Sequence, residues 1–185
     1  NTAYRQIRFE SSPYPGGSPE QSQRIMVHYR EAPDPNPTGI PNRVTTEFRD
    51  TPYPGRPEQD LIGVQYEEAA GNPVDGNIIV SNAAHPVFAG TGLTNGSVLS
   101  GLLGYEVDRR YGGFGGSFVE LASSPYTIIG PPNSSGTSHM SIYTSGTAEV
   151  FATGTIQWSW GLDDFNSPLL RSSRVSAAAQ RVTAN

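Results

Sequence analysis

The apolar residues of this chain come in short runs broken by glycine and proline, and that punctuation constrains the fold more than any other feature. The 21 glycines and 16 prolines make up about a fifth of the 185 residues. This stays below the roughly 25–30% typical of low-complexity polymers, so the chain is expected to fold. Short apolar runs between turn residues are the pattern of many short strands, not of long helices. The length suits one domain with its own core, so residues 1–185 read as a single domain or as the C-terminal portion of one.

Along the chain, 1–9 reads as a strand without a start signal, 24–29 and 44–49 as strands, and 11–22, 32–41 and 51–59 as proline-rich loop or turn. Asp60 to Tyr66 alternates like a strand, and Ile78 to Val80 forms a compact one. Asn82 to Phe88 reads as a helical turn closed by glycines. Val98 to Val107 is an apolar segment, with further strands at 118–129 and 139–160 and a hairpin around Gly146. The chain ends in an amphipathic helix over 172–184, with Val175, Ala178, Ala179 and Val182 on one face. The irregular connections favour antiparallel pairing.

Charge narrows the partners. Seventeen acidic residues stand against twelve basic ones, all arginine, for a net charge of −5. That balance argues against nucleic acid, which needs clustered cations. No apolar stretch reaches the roughly 18–20 residues that span a bilayer, so a soluble protein is expected, with cytoplasmic and secreted locations both open. With no cysteine, disulfides, thiolate metal sites and cysteine catalysis are excluded.

Few residues carry chemistry on their own. Glu106 ends the apolar segment 98–107, a setting for general acid/base work, while the local sequence alone favours a strand-end carboxylate paired with Arg109 or Arg110. His28, His85 and His139 have no metal-binding spacing, so no metal is expected to be held by this chain alone. His85, before Pro86, reads more simply as the cap of a turn. Trp158 and Trp160 fall on one face if 156–160 is a strand, and that face reads as core, with a sugar-stacking platform as the alternative. Ser100 and Thr155 have no nucleophile frame. The run Gly112-Gly-Phe-Gly-Gly116 lacks the setting and the lysine of a phosphate loop and reads as a hinge or turn.

Six segments, in order along the chain, carry a resemblance. They are Asn1-Thr-Ala-Tyr4 with Arg8-Phe-Glu10, Thr46-Glu-Phe-Arg-Asp50, and Arg56-Pro-Glu58 with Leu61-Ile-Gly-Val-Gln-Tyr66. Gly90-Thr-Gly-Leu93, Gly101-Leu-Leu-Gly-Tyr-Glu-Val-Asp-Arg109 and Val150-Phe-Ala-Thr-Gly-Thr-Ile-Gln-Trp-Ser-Trp-Gly-Leu-Asp163 follow. Together they resemble the large (beta) subunit of the N,N-dimethylformamidase family, in the C-terminal part of its catalytic domain. The resemblance implies an α/β, strand-rich fold: the C-terminal part of a glutamine-amidotransferase-like domain with antiparallel β insertions and a C-terminal helix. It also implies hydrolysis of a small amide with an iron whose ligands lie in an upstream segment or a companion chain, and hence an oligomer or larger assembly. In the matched pattern Glu106 and Asn1 take catalytic positions, and Tyr4, His85 and Tyr105 are candidates for substrate binding. Arg5 and Phe48 depart from the tryptophans common in the family at those positions. A non-catalytic binding or structural module on the same scaffold, one that recognises glycans through Trp158, Trp160 and exposed tyrosines, is the competing reading.

Overall fold

The computed structural model describes residues 2–3, 46–47, 49, 55–67, 76–113, 115–128, 134–169 and 171–185. The chain divides into two compact units, 1–58 and 59–185. The sequence-based strands at 24–29 and most of 1–9 and 44–49 lie outside the described residues, as do Asn1, Tyr4 and Phe48. Within the first unit β1 (Thr2–Ala3) pairs antiparallel with β2 (Thr46–Glu47). Arg49 forms an ion pair with the buried Glu58 at 2.6 Å, its Nε reaching the second carboxylate oxygen at 3.2 Å.

The second unit opens with a four-residue helix, α1 (Gln59–Ile62), where alternation suggests a strand. Gly63, at φ 80°, ends the helix, its N–H donating to the Gln59 carbonyl at 2.9 Å. Glycine is suited to this left-handed position because an added Cβ would be strained there. Strand β3 (Gln65–Glu67) follows and pairs with β6 (Val107–Arg109). The Gln59 side chain donates to the Gly112 carbonyl at 3.1 Å and accepts the Tyr111 N–H at 3.1 Å. One buried amide thereby ties the glycine-rich segment after β6 to the start of the unit.

Strand β4 (Gly76–Ile79) pairs with β5 (Val98–Leu103). Between the pairs Gly76↔Leu103 and Ile78↔Leu99, four steps of β5 oppose two of β4. Gly101, at φ 67°, sits inside that bulge, and the irregularity allows Leu102 and Leu103 both to be buried, where strict alternation would expose one. The 3-10 turn Pro86–Phe88 lies between these strands, as the sequence suggests.

The largest sheet has the order β7 (Phe118–Ile128), β8 (Ser134–Ser145), β9 (Ala148–Ala152). Gly146, at φ 63°, turns the β8–β9 hairpin. A bulge at Leu121 lets its carbonyl accept from both Ser81 and Asn82, at 3.0 and 3.2 Å, and so fixes the exit of β4 against β7. Every strand pairing among the described residues is antiparallel.

After β9 the segment Ile156–Gly161 is a 3-10 helix where a strand is expected. The Thr155 hydroxyl caps it by accepting the Gln157 N–H, and at about three residues per turn Trp158 and Trp160 point to different sides. Trp158 joins the core, its ring edge-on to Phe151 at 6.4 Å and its indole N–H donating to Thr183. The C-terminal helix α2 (Ala177–Ala184) starts later than its apolar spacing suggests, because Ser176 takes the N-cap and its hydroxyl accepts the Ala179 N–H. Ala179 and Val182 are buried as expected, while Val175 precedes the helix and is 42% exposed. The core they join is built on Ile78, Leu102, Leu103, Leu121 and Met140, all under 3% exposed, and each such side chain contributes about 1.5–3 kcal/mol of burial. No helix among the described residues is long and apolar enough to cross a membrane.

Candidate functional site

Glu106 stands at the corner between β5 and β6. Its N–H donates to the Gly104 carbonyl at 2.8 Å, closing a three-residue turn around Tyr105. Tyr105 has φ 63°, so this is the rarer and strained form of the γ-turn, in a region that non-glycine residues seldom enter. Strain of this kind collects at functional positions. Both Tyr105, at 62%, and Glu106 are exposed, so the carboxylate is at the surface and not at the end of a buried approach.

The local ion pairs that the sequence favours do not form. Arg109 reaches Glu67 at 2.8 Å and stacks over Tyr111 at 4.5 Å. The register explains the choice: Glu67 lies opposite Val107 and Arg109 opposite Gln65, so the two charges meet diagonally across the β3–β6 ladder. Arg110 stacks over Phe118 at 4.2 Å. Glu106 has no side-chain hydrogen bond or ion pair among the described residues, which leaves its carboxylate available at the strained corner.

The remaining candidates are dispersed. The Nδ1 of His85 accepts the Val87 N–H at 3.3 Å, capping the 3-10 turn, and none of its hydrogen bonds reaches Tyr105 or Glu106. Asn1 and Tyr4 lie outside the described residues, so the expected approach of Asn1 to Glu106 does too. Thr155 is no nucleophile: it is 7% exposed and its hydroxyl is bonded to backbone groups. His139 is structural. Its Nδ1 accepts the Arg110 N–H at 3.1 Å, and its Nε2 faces the Glu120 carboxylate at 3.8 Å, whose other oxygen takes the Ser81 hydroxyl. Burial lowers the His139 pKa, with Glu120 opposing. Burial first, and then the Glu67 carboxylate beside it, hold the Tyr126 phenol well above its ordinary value. Gly136 leaves room for that phenol, since a Cβ there would sit 2.7 Å from its Cζ.

The sequence misses a second feature. A pocket of about 390 Å³ is lined by Ser159, Trp160, Asp163, Phe165, Asn166 and Arg171. The guanidinium groups of Arg171 and Arg174 lie 5.2 and 5.0 Å from the Trp160 ring centroid, and Phe165 is 80% exposed. Trp160 is partly buried: it packs against the core and also lines this pocket. The sequence offers Trp160 as part of a stacking platform, whereas the loop that completes the pocket is signalled only by the turn-forming Asn166-Ser-Pro168; in the structure Asn166 has φ 59°.

Among the described residues no three histidine, aspartate or glutamate side chains converge on a point that could hold a metal.

An antiparallel, strand-rich domain with an unpaired carboxylate on a strained corner is the class these observations define. The chain belongs to the family described as N,N-dimethylformamidase beta subunit-like, C-terminal, which matches residues 1–172. The family's description as the C-terminal part of a subunit suggests a companion segment or chain. No curated protein and no solved structure matches the chain.

Proposed function

We propose that this chain is one part of an amide (C–N) hydrolase acting on a small amide, with Glu106 as its proton-transferring group. The observation that carries the reading is the Glu106 corner: a strained turn presents an exposed carboxylate while both neighbouring arginines are engaged elsewhere. It lies inside the matched family region. In hydrolysis, water adds to the amide carbonyl carbon and the C–N bond breaks. Glu106 takes a proton from the water and delivers one to the departing nitrogen. By the family resemblance, Asn1 is the candidate donor to the carbonyl oxygen as negative charge develops there, and Tyr4, Tyr105 and His85 are the candidates for substrate contact. The iron that the family resemblance implies belongs to ligands in an upstream segment or companion chain, on a glutamine-amidotransferase-like α/β half that this chain completes.

The test uses the whole assembly, purified natively, with metal analysis and mass spectrometry for companion chains. It is challenged with formamide, N-methylformamide, N,N-dimethylformamide and acetamide, and released amine or ammonia is measured. Glu106→Gln should lower turnover by about 10² to 10⁴ with an unchanged thermal melt. Unchanged turnover would remove Glu106 from the reaction.

The Trp160 pocket favours a second reading, a binding module for neutral glycans. Asp163 and Asp164 balance Arg171 and Arg174, so the surroundings select no net charge, and the exposed Phe165 ring offers a stacking surface. Saturable binding of a soluble oligosaccharide that disappears in Trp160→Ala, together with inactivity toward every amide in the panel, would put this reading ahead.

A further inference from the structure

We infer that Thr155 is the positioning residue of the Glu106 corner, aiming the carboxylate through its hold on Gly104. This deepens the hydrolase reading and rests on Glu106 being the proton-transferring group. The Thr155 hydroxyl donates to the Gly104 carbonyl at 3.0 Å and accepts the Gly104 N–H at 2.9 Å and the Gln157 N–H at 3.2 Å. A hydroxyl has one donor and two acceptor sites, so its whole capacity is used. Both peptide groups it grips belong to the residue that opens the strained turn, and the same Gly104 carbonyl accepts the Glu106 N–H at 2.8 Å. One oxygen therefore joins the side that opens the turn to the side that closes it.

The grip is itself anchored. Gly154, at φ 74°, seats its backbone against the His139 carbonyl so closely that a Cβ could not be added. The Gly154 carbonyl accepts from the Asp108 N–H at 2.8 Å and the Ser138 hydroxyl at 2.9 Å. The Ile156 N–H donates to the Glu106 carbonyl at 3.3 Å, and Val107 bridges Thr155. The corner is thus referred to β8, the central strand of the largest sheet. Without the hydroxyl, Gly104 loses its anchor to Thr155 and the turn keeps only its own Glu106 N–H bond and the backbone bonds that follow it, so the strained Tyr105 relaxes more easily and Glu106 turns with it. The branched side chain of threonine also limits χ1, which keeps the oxygen directed at Gly104.

The experiment compares Thr155→Val, which keeps shape and loses the hydroxyl, with Thr155→Ser, which keeps the hydroxyl, each alone and combined with Glu106→Gln in the whole assembly. The substrates are the amides named above, with kcat, KM and the pH profile of kcat as readouts. Thr155→Val should lower kcat by about 10²-fold, the loss that small misplacement of a reacting group produces. KM should hold, the pH profile of kcat should change, and Thr155→Ser should restore both. On the Glu106→Gln background Thr155→Val should add no further loss, because the group it aims is already gone. Where Thr155→Val fails to fold, Thr155→Cys takes its place, and kcat should rank Thr155→Ser above Thr155→Cys at equal melting temperature. Full activity in Thr155→Val, multiplying losses in the double variant, or failure of Thr155→Ser to rescue would overturn the inference while Glu106 stands. Full activity in Glu106→Gln would overturn the hydrolase reading first, and this inference with it.

Discussion

Trp158 and Trp160 are the only tryptophans in the chain, and the 3-10 helix buries them to different extents, Trp158 within the core and Trp160 partly buried at its edge. Trp158 is 6% exposed, and Trp158→Ala should cost the roughly 3–5 kcal/mol usual for a large aromatic in a core. It also loses the indole donor to Thr183 at 3.1 Å, contributing about 1 kcal/mol, and the Phe151 edge contact, contributing about 0.5–1.5 kcal/mol. Because the roughly 3–5 kcal/mol range already includes contacts of this kind, they place the expected loss in its upper part, about 4–5 kcal/mol, or about 8–20 °C in Tm for a chain of this size. Trp160→Ala removes two guanidinium stacking contacts and a partly buried face packed on the core, and should cost about 2–3 kcal/mol, less than Trp158→Ala. Urea unfolding followed by far-UV circular dichroism avoids reading stability from the fluorophore being removed. Fluorescence then gives an independent check: the Trp160→Ala protein, left with Trp158, should emit at shorter wavelength and resist iodide quenching, and Trp158→Ala should do the reverse. Equal losses in the two variants would refute the 3-10 assignment and return both rings to one strand face.

Gly154→Ala should destabilise by about 3 kcal/mol, combining left-handed strain with two weakened bonds at the Gly154 carbonyl; a melt within 2 °C of the unaltered chain would contradict the seat against β8. The His139 pKa is depressed in the folded state, so the unfolded chain binds more protons below the ordinary value of 6.5. Its contribution is full above that pH and lost as pH falls below it. Urea midpoints measured from pH 8 to pH 5 should therefore decline less steeply in His139→Asn, and identical slopes would contradict the assignment.

What the sequence made legible was mostly local. The strand at Ile78, the long β7, the hairpin at Gly146 and the apolar face of α2 each follow from a run of residues whose spacing and turn chemistry agree. Two segments misled for one reason: a short apolar stretch does not distinguish a strand from a turn of helix. At Ile156–Gly161 the decisive residue is Thr155, whose capping bond to Gln157 selects the helix. At Gln59–Ile62 the Gln59 amide is used by residues more than fifty positions away, which no local pattern contains. The availability of Glu106 was hidden for the same reason. Whether it pairs with Arg109 depends on the register that brings Glu67 across from β3, and that register is not written near residue 106. The family resemblance pointed to Glu106 by position, while the strained Tyr105 and the Thr155 grip became visible only in three dimensions.

The pairing of β3 with β6 differs in kind from the other ladders of the second unit. Strands β4 and β5, β7 and β8, and β8 and β9 are each consecutive in the chain, whereas β3 must find a strand some forty residues further on. Closing the longer loop costs more entropy before any bond compensates, so this ladder is the natural last step of assembly. The candidate carboxylate directly precedes β6 and is thereby wired to the latest and most readily reopened seam of the unit. Gentle denaturation should expose the amides that β3 and β6 share to hydrogen exchange, while Asp108, whose N–H is held by the Gly154 carbonyl, and the strands β7 and β8 remain protected, so function would fade before the fold does.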